Sequence, residues 1–157
     1  MSLQGLDKCV QNLNKEIIKI RGRTLKGLIR GNIIIRRSID TTPPLVPVDT
    51  GNLRLSYYCV SVGPHVVEGA SPTFQGKGAG RMASVHSKVI SSALTQLAML
   101  KDPAIIIGFT AEYAWPVHES VGKHFRRPGS GAKYFQASLL HNRENILRVI
   151  TEEARIP

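Results

Sequence analysis

Residues 3–38 read LQGLDKCVQNLNKEIIKIRGRTLKGLIRGNIIIRRS, and the fold turns on this stretch. Leu3, Leu6, Val10, Leu13, Ile17, Ile20, Thr24 and Leu28 recur at steps of three and four, with mostly polar residues between them. That is the helical period, and it lays one apolar stripe along one face. A continuous helix over 3–38 would span about 54 Å at roughly 1.5 Å per residue. Gly22, Gly27 and Gly31 interrupt it, each costing up to about 1 kcal/mol relative to Ala in a helix interior. They mark either a break or a close contact with another backbone. A helix this long carries more apolar stripe than a small domain covers, so part of it is expected to face another subunit. Thr42-Pro43-Pro44, followed by Pro47, ends it.

Working outward, Val46-Pro47-Val48-Asp49-Thr50-Gly51-Asn52-Leu53-Arg54-Leu55-Ser56 reads as a structural corner. Pro47 holds an extended lead-in, and Asp49 or Thr50 can cap a short helical turn. Gly51 can take a backbone conformation closed to bulkier residues. Leu53 and Leu55 are expected to anchor inward, leaving Arg54 free for a carboxylate on a neighbouring chain. Tyr57 to Val67 reads as a strand with a bend at Gly63-Pro64. Residues 69–84 read as a flexible loop, and Val85 to Leu100 as a second helix ended by Asp102-Pro103. Ala104 to Thr110 is short, apolar and β-branched, a buried strand. Tyr113 to Glu119 is compact and aromatic. Val121 to Gly131 is a second, glycine-rich loop carrying Lys123, Arg126 and Arg127. Ala132 to Ala154 has the spacing of a last helix. Helices around a small antiparallel sheet make an α+β fold. We read one domain over 1–157: a helical arm at 1–40, then an α+β core at 41–157 bearing both loops.

Composition supports that reading. The chain has 157 residues and 42% hydrophobic content, enough for one core. Its longest apolar runs, such as Ile33-Ile34-Ile35 and Ile105-Ile106-Ile107, fall far short of the roughly 20 residues that a membrane span needs. Met1 to Asp7 lack the basic start and apolar stretch of a secretory signal. Cys9 and Cys59 match no pairing motif and read as reduced apolar side chains. The formal charge is +10. Residues 1–40 hold nine basic groups against Asp7, Glu16 and Asp40, a net of +6. Such a segment points to an anionic neighbour, either nucleic acid or an acidic protein face, or simply to a solvated helix.

No arrangement of catalytic type stands out. His118 and His124 are six apart with Glu119 beside the first, which is no recognised zinc spacing. Gly76-Lys77-Gly78-Ala79-Gly80 lacks the Gly-Lys-Ser/Thr ending of a phosphate cradle. There is no Gly-x-Ser-x-Gly elbow. The sequence thus implies no enzyme, no cofactor and no metal.

The corner at 46–56 resembles the P-V-D-T-G-x-L-R-x-S signature of the head–tail joining, tail-completion or neck proteins of long-tailed phages. A second segment is similar to that family's Y-A-x-x-V-E-x-G element: the strand Ala104 to Thr110, then Tyr113-Ala114-Trp115-Pro116-Val117-His118-Glu119. A third, Gly131-Ala132-Lys133-Tyr134-Phe135-Gln136-Ala137-Ser138-Leu139, is similar to its lead-in to the last helix. Two features depart from the pattern. Glu119-Ser120-Val121-Gly122 stands where the family has acid-glycine-threonine, and the segment Glu68 to Asp102 is longer than a minimal member needs.

The resemblance implies a non-enzymatic virion protein, assembled in the bacterial host cytoplasm. Its subunits would form a closed ring, hexameric in preference to dodecameric, around the DNA channel. Implied partners are further copies of itself, a head-side connector or adaptor, tail tube or terminator proteins, and DNA passing without sequence specificity; no membrane is implied. Pro47, Asp49, Thr50, Gly51, Leu53 and Arg54 would form the corner. Lys123, Arg126, Arg127, Trp115, Glu119 and Phe135 would form contacts, and Arg21, Arg23, Lys26 and Arg30 would face the channel or a partner. Both loops are expected to order against partners. A small basic nucleic-acid-binding protein is the alternative, supported by the charge and the basic loop.

Overall fold

The structure, a computed structural model, describes residues 3–63 and 65–155. Pro64 and the side chains of Leu3 and Leu6 lie outside the described residues. Helix α1 runs unbroken over Leu3–Thr41, 39 residues and therefore about 58 Å at roughly 1.5 Å per residue. It stops where Pro43 and Pro44 can no longer supply backbone donors.

None of its three glycines breaks it: Gly27 and Gly31 mark close approach, while a Cβ on Gly22 would meet nothing within 4 Å. A Cβ on Gly27 would sit 2.8 Å from the Ile150 Cα, and one on Gly31 would sit 3.1 Å from Ile146. The last helix, α5 (Tyr134–Ala154), packs against the second half of α1 along this seam, and the Ser138 hydroxyl donates to the Ile35 carbonyl. Half of α1 is therefore core: Asn32, Ile35, Ser38 and Ile39 are buried.

A short helix α2 (Asn52–Leu55) leads into a hairpin of β1 (Tyr57–Ser61) and β2 (His65–Glu68). After helix α3 (Ala79–Ala98), strand β3 (Ile105–Phe109) completes an antiparallel sheet of order β2-β1-β3. The register places Tyr57 opposite Phe109 and Ser61 opposite Ile105. The central strand β1 is buried at every residue. On one face Tyr58 and Val60 meet Ile90, Ala93 and Leu97 of α3. On the other, the Tyr57 hydroxyl donates to Asn32 of α1. Helix α4 (Ala114–Glu119) bridges to the loop before α5. The fold is α+β, as the sequence indicates.

Four expectations need correction. Tyr57 to Val67 is not one bent strand but two, β1 and β2, paired antiparallel, because the chain reverses at Gly63, whose φ is +91°. Helix α3 begins at Ala79, not Val85, because Met82 and His86 pack inward and extend the helix back through Gly80. Strand β3 is half-buried rather than buried, since it is an edge strand with β1 on one side only. Leu55 is exposed; α2 is one turn long, so it can turn Asn52 and Leu53 inward but not Leu55 as well.

Candidate functional site

The three segments singled out in the sequence meet in one place. Val46 and Leu53 from the corner, Ala111 and Ala114 from the second segment, and Tyr134 from the third form one buried cluster, with Phe109, Val117 and Phe135 against it. Ring edges meet faces here: Phe109 lies 5.5 Å from Tyr134 at 90° and 6.1 Å from Phe135 at 86°. Such edge-to-face pairs contribute about 0.5–1.5 kcal/mol beyond the area they bury. Burial also pushes the Tyr134 phenol above its ordinary range, so it stays neutral.

The corner is held by its backbone and by neighbours. Gly51 has φ +86°, a left-handed conformation that an L side chain resists. The Asn52 N–H donates to the Thr50 hydroxyl at 3.4 Å, a weak version of the expected cap. Asp49 does not cap; it pairs with Arg126 at 2.7 Å. Arg54 is not free either. Its Nη2 donates to Asp40 Oδ2 of its own chain at 3.1 Å, and its Nε lies 2.8 Å from Oδ1. Asp40 is presented by the last turn of α1, a neighbour that the local sequence could not reveal. Arg36, one turn earlier, donates to Glu68 at 3.0 Å and lies 4.8 Å over the Tyr57 ring.

Both loops are tied down by this chain, contrary to the expectation that partners order them. Arg127 donates to the carbonyls of Asp40 at 2.8 Å and Val46 at 3.4 Å. The Leu45 N–H donates to Gly129, and the Gly131 N–H to Leu45. Across the other loop, the buried Asn52 amide donates to the Gln75 carbonyl and accepts from its N–H, both at 2.8 Å. The buried ring of His86 sits 2.7 Å from Thr110 Oγ1 and reaches the Gly69 carbonyl with its other nitrogen. Backbone groups that find partners inside the chain need none outside it.

What remains exposed defines the candidate surface. Asp49, Lys123, Arg126 and Tyr113 border an open cleft of about 590 Å³ between the corner and the second loop, floored by Leu53 and Val117. Beside it, Arg54, Arg126 and Arg127 border a shallow depression. The corner residues Pro47, Thr50 and Gly51 also line the cleft. Trp115 and Phe135 lie apart, over a smaller aromatic hollow with His118; Trp115 is 72% exposed. Glu119 accepts from Lys133 and pairs with His118 at 2.8 Å. Lys133 and then His118 hold its carboxyl below the ordinary range, so it is committed inside the chain.

The basic groups of α1 are not gathered with this surface. Lys26 and Arg30 both pair with Glu153 of α5, and Arg23 is partly buried with Nε and Nη2 unpartnered. Arg21 lies 3.9 Å from Asp102. Lys26 and Arg30, expected to face the channel or a partner, thus also clamp α5 through Glu153. Cys59 is buried, its thiol pushed up to about 12 chiefly by desolvation, while Cys9 is exposed. Among the described residues no helix is long and apolar enough to cross a membrane, and no three His, Cys, Asp or Glu gather as metal ligands would. Comparison with protein-family models, curated proteins and solved structures finds no match for this chain.

Proposed function

We propose that this chain is a structural subunit of a ring at the head–tail junction of a tailed phage, joining connector to tail around the DNA channel. One observation carries the reading. The three segments that resemble the neck family, far apart in sequence, pack into one cluster and leave a continuous polar rim of Asp49, Arg54, Lys123 and Arg126. A rim on a rigid corner suits repeated protein contact. Arg54 is held by Asp40, but Asp49 and Arg126 form an exposed pair, so a partner carboxylate or phosphate can exchange with Asp49 for Arg126. Virion location and ring symmetry belong to this proposal.

The nucleic-acid-binding alternative draws on the +10 charge. That charge is a net excess over all the carboxylates and is not cancelled by ion pairs, but Lys26, Arg30, Arg36, Arg54 and Arg81 each lie beside a carboxylate that lowers the field they present locally. The expected DNA binding is therefore weak, sequence-blind and lost as salt rises.

The test is to image where the protein sits in a particle and to measure joining with Lys123→Ala and Arg126→Ala combined. These two exposed side chains support no core contact, so the fold should survive while joining falls. Undiminished joining, or tight sequence-selective DNA binding by a monomer, would overturn the reading.

A further inference from the structure

The first half of α1 carries an apolar face that nothing described covers. Val10, Leu13 and Ile17 are exposed, Leu13 at 60%. With Ile20, Thr24, Gly27 and Gly31 they follow an unbroken three-four-three-four spacing. That is the 3.5-residue period of a helix–helix seam, not the signature of a helix lying on a sheet. The downstream end of the seam is filled: Gly27 meets Ile150 and Gly31 meets Ile146. Helix α5 gives out at Ala154, just beyond the Glu153 that reaches Lys26 and Arg30. Upstream of that point the same seam continues without an occupant among the described residues.

We propose that residues 7–21 of α1 pair with the same segment of a second copy of this chain, as an antiparallel two-helix seam. The partner is a helix because the exposed stripe continues one already occupied by a helix. It is a second copy because the complement of such a stripe is the stripe itself, Val10 facing Ile20 and Leu13 facing Ile17. Direction follows from two facts. A parallel partner would drive its body into the space beside Gly27 and Gly31, where α5 already lies, whereas antiparallel arms put the bodies at opposite ends. Asp7 and Arg21 flank the stripe on one side, fourteen residues apart. Antiparallel pairing brings each Asp7 to the partner copy's Arg21, which holds only a loose contact of 3.9 Å in its own chain.

A twofold contact doubles whatever assembly the rest of the chain makes. The pairing therefore stands independently of the phage reading: it predicts a dimer if the body is monomeric and a dodecamer if the body forms a hexamer. Lys8, Lys15, Lys19 and Arg21 outnumber Asp7 and Glu16 on the arm, so association should tighten as salt screens their repulsion.

The experiment compares solution masses of the full chain and of the double variant Leu13→Glu/Ile17→Glu. The expected result is half the mass with an unchanged circular dichroism spectrum and, at concentrations too low for association, an unchanged melting curve, since both positions lie off the core. A second protein carries Asp7→Cys and Arg21→Cys in a Cys9→Ser background. One rigid helix holds these positions about 21 Å apart at roughly 1.5 Å per residue, so oxidation can link them only between copies, and cross-linked dimers are expected. Equal masses for wild type and double variant overturn the pairing and leave the stripe to a different partner. A halved mass without cross-links overturns its antiparallel direction. Loss of the ring reading alone would change the absolute masses but not the halving.

Discussion

Residues 7–22 and 23–41 of α1 carry the same helical spacing of apolar and small side chains, yet the first set stands in solvent and the second lines the core. Helix propensity does not separate them. The second half has α5 against it and Tyr57 hydrogen-bonded to Asn32; the first half has neither. An amphipathic pattern thus specifies a face to be buried without specifying what buries it, and the two halves answer that demand by different means.

Shortening matched side chains should have unequal consequences in the two halves. Ile35→Ala, in the covered half, should cost about 2–5 kcal/mol by urea unfolding. Leu13→Ala, in the uncovered half, should stay within about 0.5 kcal/mol at concentrations too low for association. A comparable loss at both positions would mean that the two halves share one core after all.

At the glycines of the two halves the expected signs oppose. Gly27→Ala places a Cβ 2.8 Å from the Ile150 Cα, so α5 must shift at a cost of about 1–3 kcal/mol. Gly22→Ala meets nothing within 4 Å and should gain up to about 1 kcal/mol from helix propensity.

Alkaline titration tests the body alone. Burial raises the Tyr57, Tyr134 and Cys59 side chains above their ordinary values. Their contribution is full below the unfolded values, near 9.0 for the thiol and 10.0 for the phenols, and is lost as pH rises through the folded ones. Stability should therefore fall steadily above about pH 9, and Cys59→Ala should remove the earliest part of that fall. A flat profile to pH 11 would contradict the burial assigned to all three.

The smallest effect concerns the boundary between the halves. Glu153→Gln weakens the clamp on Lys26 and Arg30, whose own side chains are largely exposed, so the loss should be below about 1 kcal/mol. Hydrogen exchange should nevertheless quicken at the end of α5, where the covered half of α1 stops.

Much of the candidate site was legible in local sequence, and the reasons differ by residue. Gly51 and Pro47 act through their own backbone, so a turn could be read from them directly. Leu53 could be placed inside by its type, but Leu55 could not be told from it, because a helix of one turn has too few residues to show a period. The ion pairs were out of reach. Arg54 meets Asp40 and Arg126 meets Asp49 through contacts spanning 14 and 77 positions. Asn52 left no trace at all, since its partner is the backbone of Gln75, which any residue type could supply.

By itself the sequence determined the helical character of α1, its stop at Pro43, the bend at Gly63, the turn at Gly51 and the apolar spacing of α3 and α5. Each of these depends on residues within a few positions of one another and on torsions or periods that side-chain type controls. Tertiary structure alone decided that 23–41 is core while 7–22 is an arm, that both loops are fastened from within, and that Lys26 and Arg30 grip Glu153. The first and last of these depend on where α5 ends relative to α1, and the loop contacts on partners up to 87 positions away, distances that only packing sets.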